Sequence, residues 1–395
     1  MKRIDIFSIL IIGLILRLIL VIVNSEFFTL PQGGADAILF ERIAWNQVTN
    51  GRGELTSYFR SGPELLSLLG SFAYEIAGRR PSLLGIMMSL LGTSVIYLSY
   101  KAALLLWGDI RAARIVAWVT ALFPQLTLHS ALFLREIPVS LWLTIAVIFL
   151  IHYAQRPRAS CIAAYAACIT IGALFHSGVI FAIPAMILAL SMTRSKIYGK
   201  KVRSLIINLS ATIILLAVVY VVNETGYGLE KFGGSLDEAL ETFEANESRG
   251  TLGGAAFPDW MRIRGGISDI WKVPIRFIAF LFAPLVPLMV RSSSHLFGVF
   301  DSAMYLFLLW QLYRNRDIVA QNRAAKMLIV IFLIISFVYA MGVSNFGTAV
   351  RHRAKAAPLL IIVAAGLPEL RRRLRQRKAT EMTYGRTTRA LSTHV

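Results

Sequence analysis

A succession of long apolar runs constrains this chain more than any other feature. Several runs are about 17 to 25 residues long, which is the length that a helix needs to cross the hydrocarbon core of a bilayer. With 56% hydrophobic and 16% charged residues among 395, the chain is too apolar for a soluble domain. The sequence therefore predicts an all-α polytopic membrane protein with about ten transmembrane helices. The candidate spans are about 5–23, 82–106, 112–129, 137–153, 160–175, 178–193, 204–222, 296–313, 327–343 and 356–370.

The basic residues predict the orientation of these spans. Lys and Arg are enriched in cytoplasmic connections, and a cytoplasmic start at Lys2 and Arg3 places most basic connections on one side. The apolar stretch 274–290 contains three prolines, and if it crossed, the basic linker 314–326 and the basic tail would fall outside. We therefore expect 274–290 to be re-entrant or interfacial, with both termini in the cytoplasm.

The same pattern predicts four parts of the chain. They are an N-terminal transmembrane module (1–223), an exported loop with the re-entrant or interfacial segment (224–295), C-terminal transmembrane helices (296–370) and a basic cytoplasmic tail (371–395). Two further stretches on the outer side, 36–48 and 63–78, are predicted as juxtamembrane helices. In the first of them Asp36, Phe40 and Ala44 share one stripe.

The charge and the cysteines exclude some partners. The net charge of +19 fits basic residues that set topology and meet anionic membrane lipid. No separate basic domain with interleaved aromatic residues is present in the sequence, so we expect no nucleic-acid partner. Cys161 and Cys168 lie about 10 Å apart along one helix, too far for a disulfide, and they belong to no metal-ligand pattern.

Several polar residues fall on the outer side under this topology. A carboxylate at the membrane surface, such as Asp36, can take a proton from an acceptor hydroxyl. Cationic side chains can hold a phosphate and stabilise the charge that develops as it leaves. The pattern therefore predicts transfer onto a hydroxyl with a phosphate as leaving group. The candidate residues are Arg17, Asp36, His129, Arg135, Glu136, His176, Arg351, His352 and Arg353.

These residues resemble the GT-C superfamily of polyprenyl-phosphate-dependent glycosyltransferases. Its pattern has an arginine in the first span and then an outer-loop acid on an Asp-x-x-x-aromatic-x-x-x-Ala helix, followed by a Gly. Here these are Arg17, Asp36, Phe40, Ala44 and Gly51. Later elements match Pro63, Ala121-Leu122-Phe123-Pro124 and Ser130 to Glu136. The family's arginine-containing outer loop, which precedes a last span with a proline, matches Arg351-His352-Arg353 and Pro358. The resemblance is to bacterial members related to protein mannosyltransferases and the aminoarabinose transferase of lipid A.

The resemblance implies a GT-C-like bundle and an inverting hexosyl- or pentosyltransferase of the bacterial cytoplasmic (inner) membrane. Asp36 would be the general base, Glu136 a second acidic catalytic-site residue, and Arg351 or Arg353 the phosphate contact. Arg17, Arg135, His176 and His352 would complete the substrate- and phosphate-binding set. The donor would be a polyprenyl-phosphate-linked sugar, and the acceptor a cell-surface glycan, a lipid or a protein.

The sequence departs from the family pattern beside the proposed base. Ala35 and Ala37 flank Asp36, where many members carry two adjacent acids that can bind a divalent metal. We therefore assign no metal ligand and no cofactor, and a divalent metal stays an open alternative. Two other functions stay open as well: a polysaccharide polymerase or ligase that uses a polyprenyl-diphosphate-linked glycan, and a flippase or transporter of lipid-linked glycans. Charges gathered at one membrane surface favour head-group chemistry over transport.

Overall fold

The computed structural model describes residues 5–54, 58–59, 61–193, 256–261, 269–284 and 293–392. Within these ranges the regular structure is helical, apart from one isolated antiparallel bridge between Ala256 and Asn345. The helices are α1 (Ile6–Ile22), α2 (Ala35–Thr49), α3 (Gly62–Ala77), α4 (Pro81–Trp107), α5 (Ile110–Leu122), α6 (Pro124–His129), α7 (Glu136–Gln155), α8 (Ala159–Phe175), α9 (Ala182–Met192), α10 (Lys272–Phe282), α11 (Ser293–Arg314), α12 (Arg316–Gln321), α13 (Arg323–Met341), α14 (Phe346–Ala364) and α15 (Leu367–Ser392). A π-helical turn (Val23–Phe27) extends α1, and 3-10 turns occupy Ser177–Phe181 and Asp259–Met261.

Four helices in the described part of the chain are long and apolar enough to cross a membrane. They are Ile6–Phe27, Pro81–Trp107, Glu136–Gln155 and Arg323–Met341. The all-α membrane fold predicted from the sequence is thereby confirmed. The predicted span 204–222 and most of the exported loop lie outside the described residues, so the count of about ten spans and the four-part division stay predictions.

The predicted span 112–129 is not one continuous helix. Helix α5 ends at Leu122, Phe123 is extended, and α6 restarts at Pro124. Proline has no amide hydrogen to donate, so the pattern of backbone hydrogen bonds in the helix is interrupted there. The carbonyl of Ala121 instead accepts from Thr127 Oγ1 at 2.9 Å and from Arg17 Nη1 at 3.2 Å. The hydrogen bond from Arg17 therefore helps to stabilise this helix break.

Helix α14 begins ten residues before the predicted span 356–370. Asn345 caps it by accepting from the Thr348 amide at 2.7 Å, as a short polar side chain does at a helix start. The prediction that Arg351, His352 and Arg353 form an outer loop is therefore wrong, because all three lie within the helix. From Arg353 to Ala364 every residue of α14 is buried, packed against α4, α7, α10, α11 and α13.

The two predicted juxtamembrane helices are confirmed as α2 and α3, which pack on each other. Ser67 Oγ donates to the Phe40 carbonyl at 2.8 Å. Glu41 accepts from the Tyr74 hydroxyl at 2.9 Å and pairs with Arg79 through both oxygens, at 2.9 and 3.0 Å. Burial raises the pKa of Glu41, but the hydrogen bonds from Arg79 and Tyr74 outweigh it, and the pKa lies below its ordinary value. These contacts fix α2 and so fix Asp36.

Basic segments collect at one end of the bundle. Arg373 pairs with Asp109, Arg111 lies 3.8 Å from Glu369, and the Asn322 amide donates to the Leu106 carbonyl at 2.9 Å. The linker after α11 and the tail helix α15 therefore lie at the same end as the α4–α5 connection. Helix α10 has 11 residues, a length of about 17 Å against a core of about 30 Å. This arrangement supports a non-crossing 274–290 segment, whose residues 285–290 lie outside the described ranges.

Candidate functional site

Three distant parts of the chain meet at the opposite end of the bundle. Asp36 lies in the first turn of α2, whose N-cap is Gly34. Glu136 is the first residue of α7, and Arg351 lies in the second turn of α14. Arg351 is separated in sequence from Asp36 by 315 positions and from Glu136 by 215, so only the tertiary fold brings them together.

Arg351 bridges the two carboxylates. Its Nη1 lies 2.6 Å from Asp36 Oδ2, and its Nε and Nη2 lie 3.2 and 3.1 Å from Glu136 Oε1. Charge-assisted bonds of this length are the strong class of hydrogen bond. The side chains of Asp36, Arg351 and Glu136 are 40%, 19% and 3% exposed. Asp36 is therefore the carboxylate that a substrate can reach, and Glu136 supports Arg351 from inside.

Lys355 is a fourth charged member that the sequence reasoning missed. It lies one helical turn after Arg351, is 1% exposed, and holds Nζ 3.8 Å from Glu136 Oε1. Its ammonium also lies over the Tyr339 ring, 5.4 Å from the centroid. A lysine within the apolar run Ala354–Ala357 was a usable signal, because ionisable residues in such runs usually have a function or a partner.

Arg135 adds a further cation beside the site. Its Nη1 lies 3.5 Å from the Phe175 carbonyl, and its guanidinium lies over the Phe40 ring at 5.4 Å. Burial lowers the pKa of Arg135, yet a guanidinium stays charged at neutral pH. Arg135, Arg351 and Lys355 against Asp36 and Glu136 give three positive and two negative charges, an excess of one that suits an anionic ligand.

Aromatic rings form one wall of the site. The His176 and His352 ring centroids are 4.9 Å apart, and both rings meet the Tyr339 ring edge-on, at 5.5 and 5.2 Å. Because Lys355 lies over Tyr339, this cluster adjoins the charged group. The structure therefore brings the predicted residues His176 and His352 to the site. His129 is fully buried behind it, with Nε2 2.6 Å from Gln32 Oε1.

Arg353 and Arg17 lie elsewhere. Arg353 is fully buried, with Nε 2.6 Å from Asp301 Oδ2 and Nη2 2.8 Å from Ser302 Oγ. It also donates to the carbonyls of Leu281 at 3.0 Å and Ala283 at 2.8 Å. Arg17 is 1% exposed and donates to the carbonyls of Gly13 and Ala121 at 2.9 and 3.2 Å. Both side chains donate hydrogen bonds to backbone carbonyls inside the bundle.

Metal-binding side chains do not converge in the described ranges. There, no group of three or more His, Cys, Asp or Glu side chains is placed to hold a metal ion. Asp36 and Glu136 share Arg351 instead.

The fold is similar to two solved membrane enzymes. One is the archaeal oligosaccharyltransferase AglB from Archaeoglobus fulgidus, in complex with an inhibitory peptide and a dolichol-phosphate; the identity is 17%, the TM-score is 0.51, and the match covers 96% of this chain and 52% of that one. The other is apo ArnT from Cupriavidus metallidurans, with 16% identity, a TM-score of 0.50, and coverage of 89% of this chain and 58% of that one. The chain thus spans about half the length of these structures. The likeness confirms the predicted GT-C-like fold.

Neither a protein-family model nor a curated protein sequence matches the chain.

Proposed function

We propose that the chain is a membrane glycosyltransferase that moves a sugar from a polyprenyl-phosphate-linked donor to a hydroxyl acceptor. The observation that carries this proposal is the Asp36–Arg351–Glu136 group. It places a reachable carboxylate and a guanidinium side by side at the end of the bundle away from the basic segments. A membrane-bound carrier presents its phosphate at the level of the head groups, where such a site can meet it.

Asp36 is the general base in this reaction. It takes the proton of the acceptor hydroxyl, whose oxygen forms a bond to the anomeric carbon of the donor sugar. The bond between that carbon and the phosphate oxygen breaks, and its electron pair stays on the phosphate. Attack from the face opposite the leaving phosphate inverts the configuration of the anomeric carbon.

Arg351 stabilises the donor phosphate as it leaves. A guanidinium offers a planar set of donors that matches phosphate oxygens and stabilises the charge that develops on them. Because Arg353 has its donors engaged by Asp301, Ser302 and backbone carbonyls, we assign the phosphate contact to Arg351. Glu136 is a positioning residue, since it is 3% exposed and bonds the inner edge of Arg351.

Other side chains around the Asp36–Arg351–Glu136 group have supporting roles. Arg135 and Lys355 add positive charge around the phosphate, and His176 and His352 form the wall against which the sugar or the phosphate lies. The acceptor is a cell-surface glycan, a lipid or a protein, and the site faces outward from a bacterial inner membrane. The dolichol-phosphate in the AglB complex supports the choice of a polyprenyl phosphate as carrier.

Sugar transfer by the purified protein in nanodiscs tests the donor class. The assay offers polyprenyl-monophosphate and polyprenyl-diphosphate sugars and follows release of the lipid phosphate, with Arg351→Lys beside the wild type. We expect turnover of a monophosphate donor. We also expect a loss of about tenfold or more in kcat/KM for Arg351→Lys, because the ammonium of lysine lacks the planar set of donors by which a guanidinium binds a phosphate. Arg372→Lys, which changes an exposed arginine paired with Glu369 on the tail helix, is the matched control.

The same assay separates the alternatives. Turnover of a diphosphate-linked glycan alone would replace the proposal with a polymerase or ligase. Movement of intact lipid-linked sugar across the bilayer without release of the carrier phosphate would replace it with a flippase.

A further inference from the structure

The guanidinium of Arg351 is held from two directions. Glu136 Oε1 accepts from Nε on the buried side and lies 3.1 Å from Nη2, whereas Asp36 Oδ2 accepts from Nη1 on the open side. The difference in exposure, 3% for Glu136 against 40% for Asp36, fixes which partner an incoming ligand meets. Glu136 can keep its contact while the Asp36 contact is exchanged.

An anion that reaches Arg351 from the open side meets the Asp36 carboxylate at the same guanidinium. Two negative groups this close repel each other, so a phosphate and an ionised Asp36 compete for Arg351. A protonated Asp36 carries no charge and does not compete. The state of one proton therefore decides how strongly Arg351 holds a phosphate.

We propose that Arg351 exchanges Asp36 for the carrier phosphate in the transfer step, and that protonation of Asp36 drives the exchange. The inference rests on the proposed function. As the acceptor oxygen bonds the anomeric carbon, its proton passes to Asp36, and the broken bond leaves its electron pair on the phosphate. The carboxylate loses a negative charge in the step in which the phosphate gains one. Arg351 therefore changes its contact from Asp36 to the phosphate, while its contact with Glu136 persists.

Product release reverses the exchange. When Asp36 gives its proton to water, the carboxylate pairs again with Arg351 and displaces the carrier phosphate. In the resting enzyme the same pair keeps Arg351 from retaining phosphates of bulk lipids. Asp36 thus serves both as base and as the group that clears the site.

Binding of a polyprenyl monophosphate tests the exchange without any turnover. Wild type and Asp36→Asn are compared in nanodiscs of zwitterionic lipid, because Asn has the shape of a protonated Asp. We expect Asp36→Asn to bind the carrier about fivefold to tenfold more tightly, a coupling of the usual size between linked groups. Glu75→Gln, which removes a half-exposed carboxylate on α3, controls for net charge and should bind as wild type does. Equal or weaker binding by Asp36→Asn would overturn the inference.

A second background shows whether the effect runs through Arg351. In Arg351→Gln the Asp36→Asn change should no longer tighten binding, and tightening of the same size would assign the effect to general repulsion. If Arg351→Gln does not fold, wild type and Asp36→Asn are compared at about 0.5 M salt. A direct, partly buried contact is screened less than distant charges, so the tightening should persist, and its disappearance would contradict the exchange.

The proposed function fails in a different way. Sugar transfer by Asp36→Asn would remove Asp36 as the base, yet the binding comparison would still report on the competition for Arg351. Absence of carrier binding by all variants would overturn both the carrier and the exchange.

Discussion

Arg351 and Arg353 are two residues apart, and α14 turns their side chains to different surroundings. Arg351 reaches the site between Asp36 and Glu136, whereas Arg353 is enclosed with Asp301. Sequence alone groups them as one basic run. At the scale of single residues, the helix separates a partly exposed cation at the proposed site from a fully buried one that holds the fold.

Removal of the Arg353 charge should affect stability first. Arg353→Met leaves Asp301 buried without its partner, and breaking a buried pair costs about 3–5 kcal/mol. We expect a clearly lower apparent Tm in detergent, whereas the control Arg351→Met, at a 19% exposed side chain, should lower Tm less and donor use more. An Arg353→Met protein with wild-type Tm and weakened donor binding would instead place Arg353 in the site.

The packing of helices α2 and α3 on each other positions Asp36. Gly70 of α3 lies where α2 and the loop before α7 meet: an added Cβ there would come within 2.8 Å of Phe133 Cζ and 3.2 Å of Ala44 Cβ. No such crowding exists at Gly172 of α8, where the nearest atom would be 3.4 Å away. The close approach of these elements therefore depends on the missing side chain at Gly70.

Gly70→Ala should therefore disturb both folding and transfer. Overpacking of a core costs about 1–3 kcal/mol, and a displaced α2 moves Asp36 away from Arg351. The matched change Gly172→Ala should be neutral or slightly stabilising, since alanine favours helix. Thermal unfolding and transfer rates of the two variants provide the comparison, and equal behaviour would show that α2 tolerates the shift.

The sequence predicts a helix well where the helix has one apolar face. It fails to predict a helix boundary where charged residues are paired by side chains that are distant in sequence. Helices α2 and α3 follow from their amphipathic spacing and from Pro63 near the start of α3. The early start of α14 could not be predicted from charge patterns, because Arg353 and Lys355 are neutralised by Asp301 and Glu136 from other helices. The cap at Asn345 was a local signal that could have located that start.

The whole molecule has two chemically different ends. Basic groups of α15 and of the linker after α11 join the α4–α5 connection at one end, and the Asp36–Arg351–Glu136 group lies at the other. The predicted orientation requires this separation. The sequence grouped Asp36, Glu136, Arg351, His176 and His352 by their common side of the membrane. It also carried a signal for Lys355, a lysine within an apolar run, but the outer-face pattern did not include that residue.

Cysteine labelling tests the two-ended arrangement in membranes. With Cys161 and Cys168 replaced by Ala, Glu75→Cys reports on the site end and Thr380→Cys on the tail end; both native side chains are exposed. An impermeant maleimide should label each position in only one vesicle orientation, and the two orientations should be opposite. Labelling of both positions from the same side would contradict the orientation.

The most direct measurement of the central claim is the single-turnover rate of sugar transfer by Asp36→Asn and by wild type, with donor and acceptor saturating. Loss of a general base costs about 10²- to 10⁴-fold in rate. We predict a loss in that range, with the apparent Tm of Asp36→Asn close to wild type. A transfer rate within about twofold of wild type would contradict Asp36 as the base and the site proposed around it.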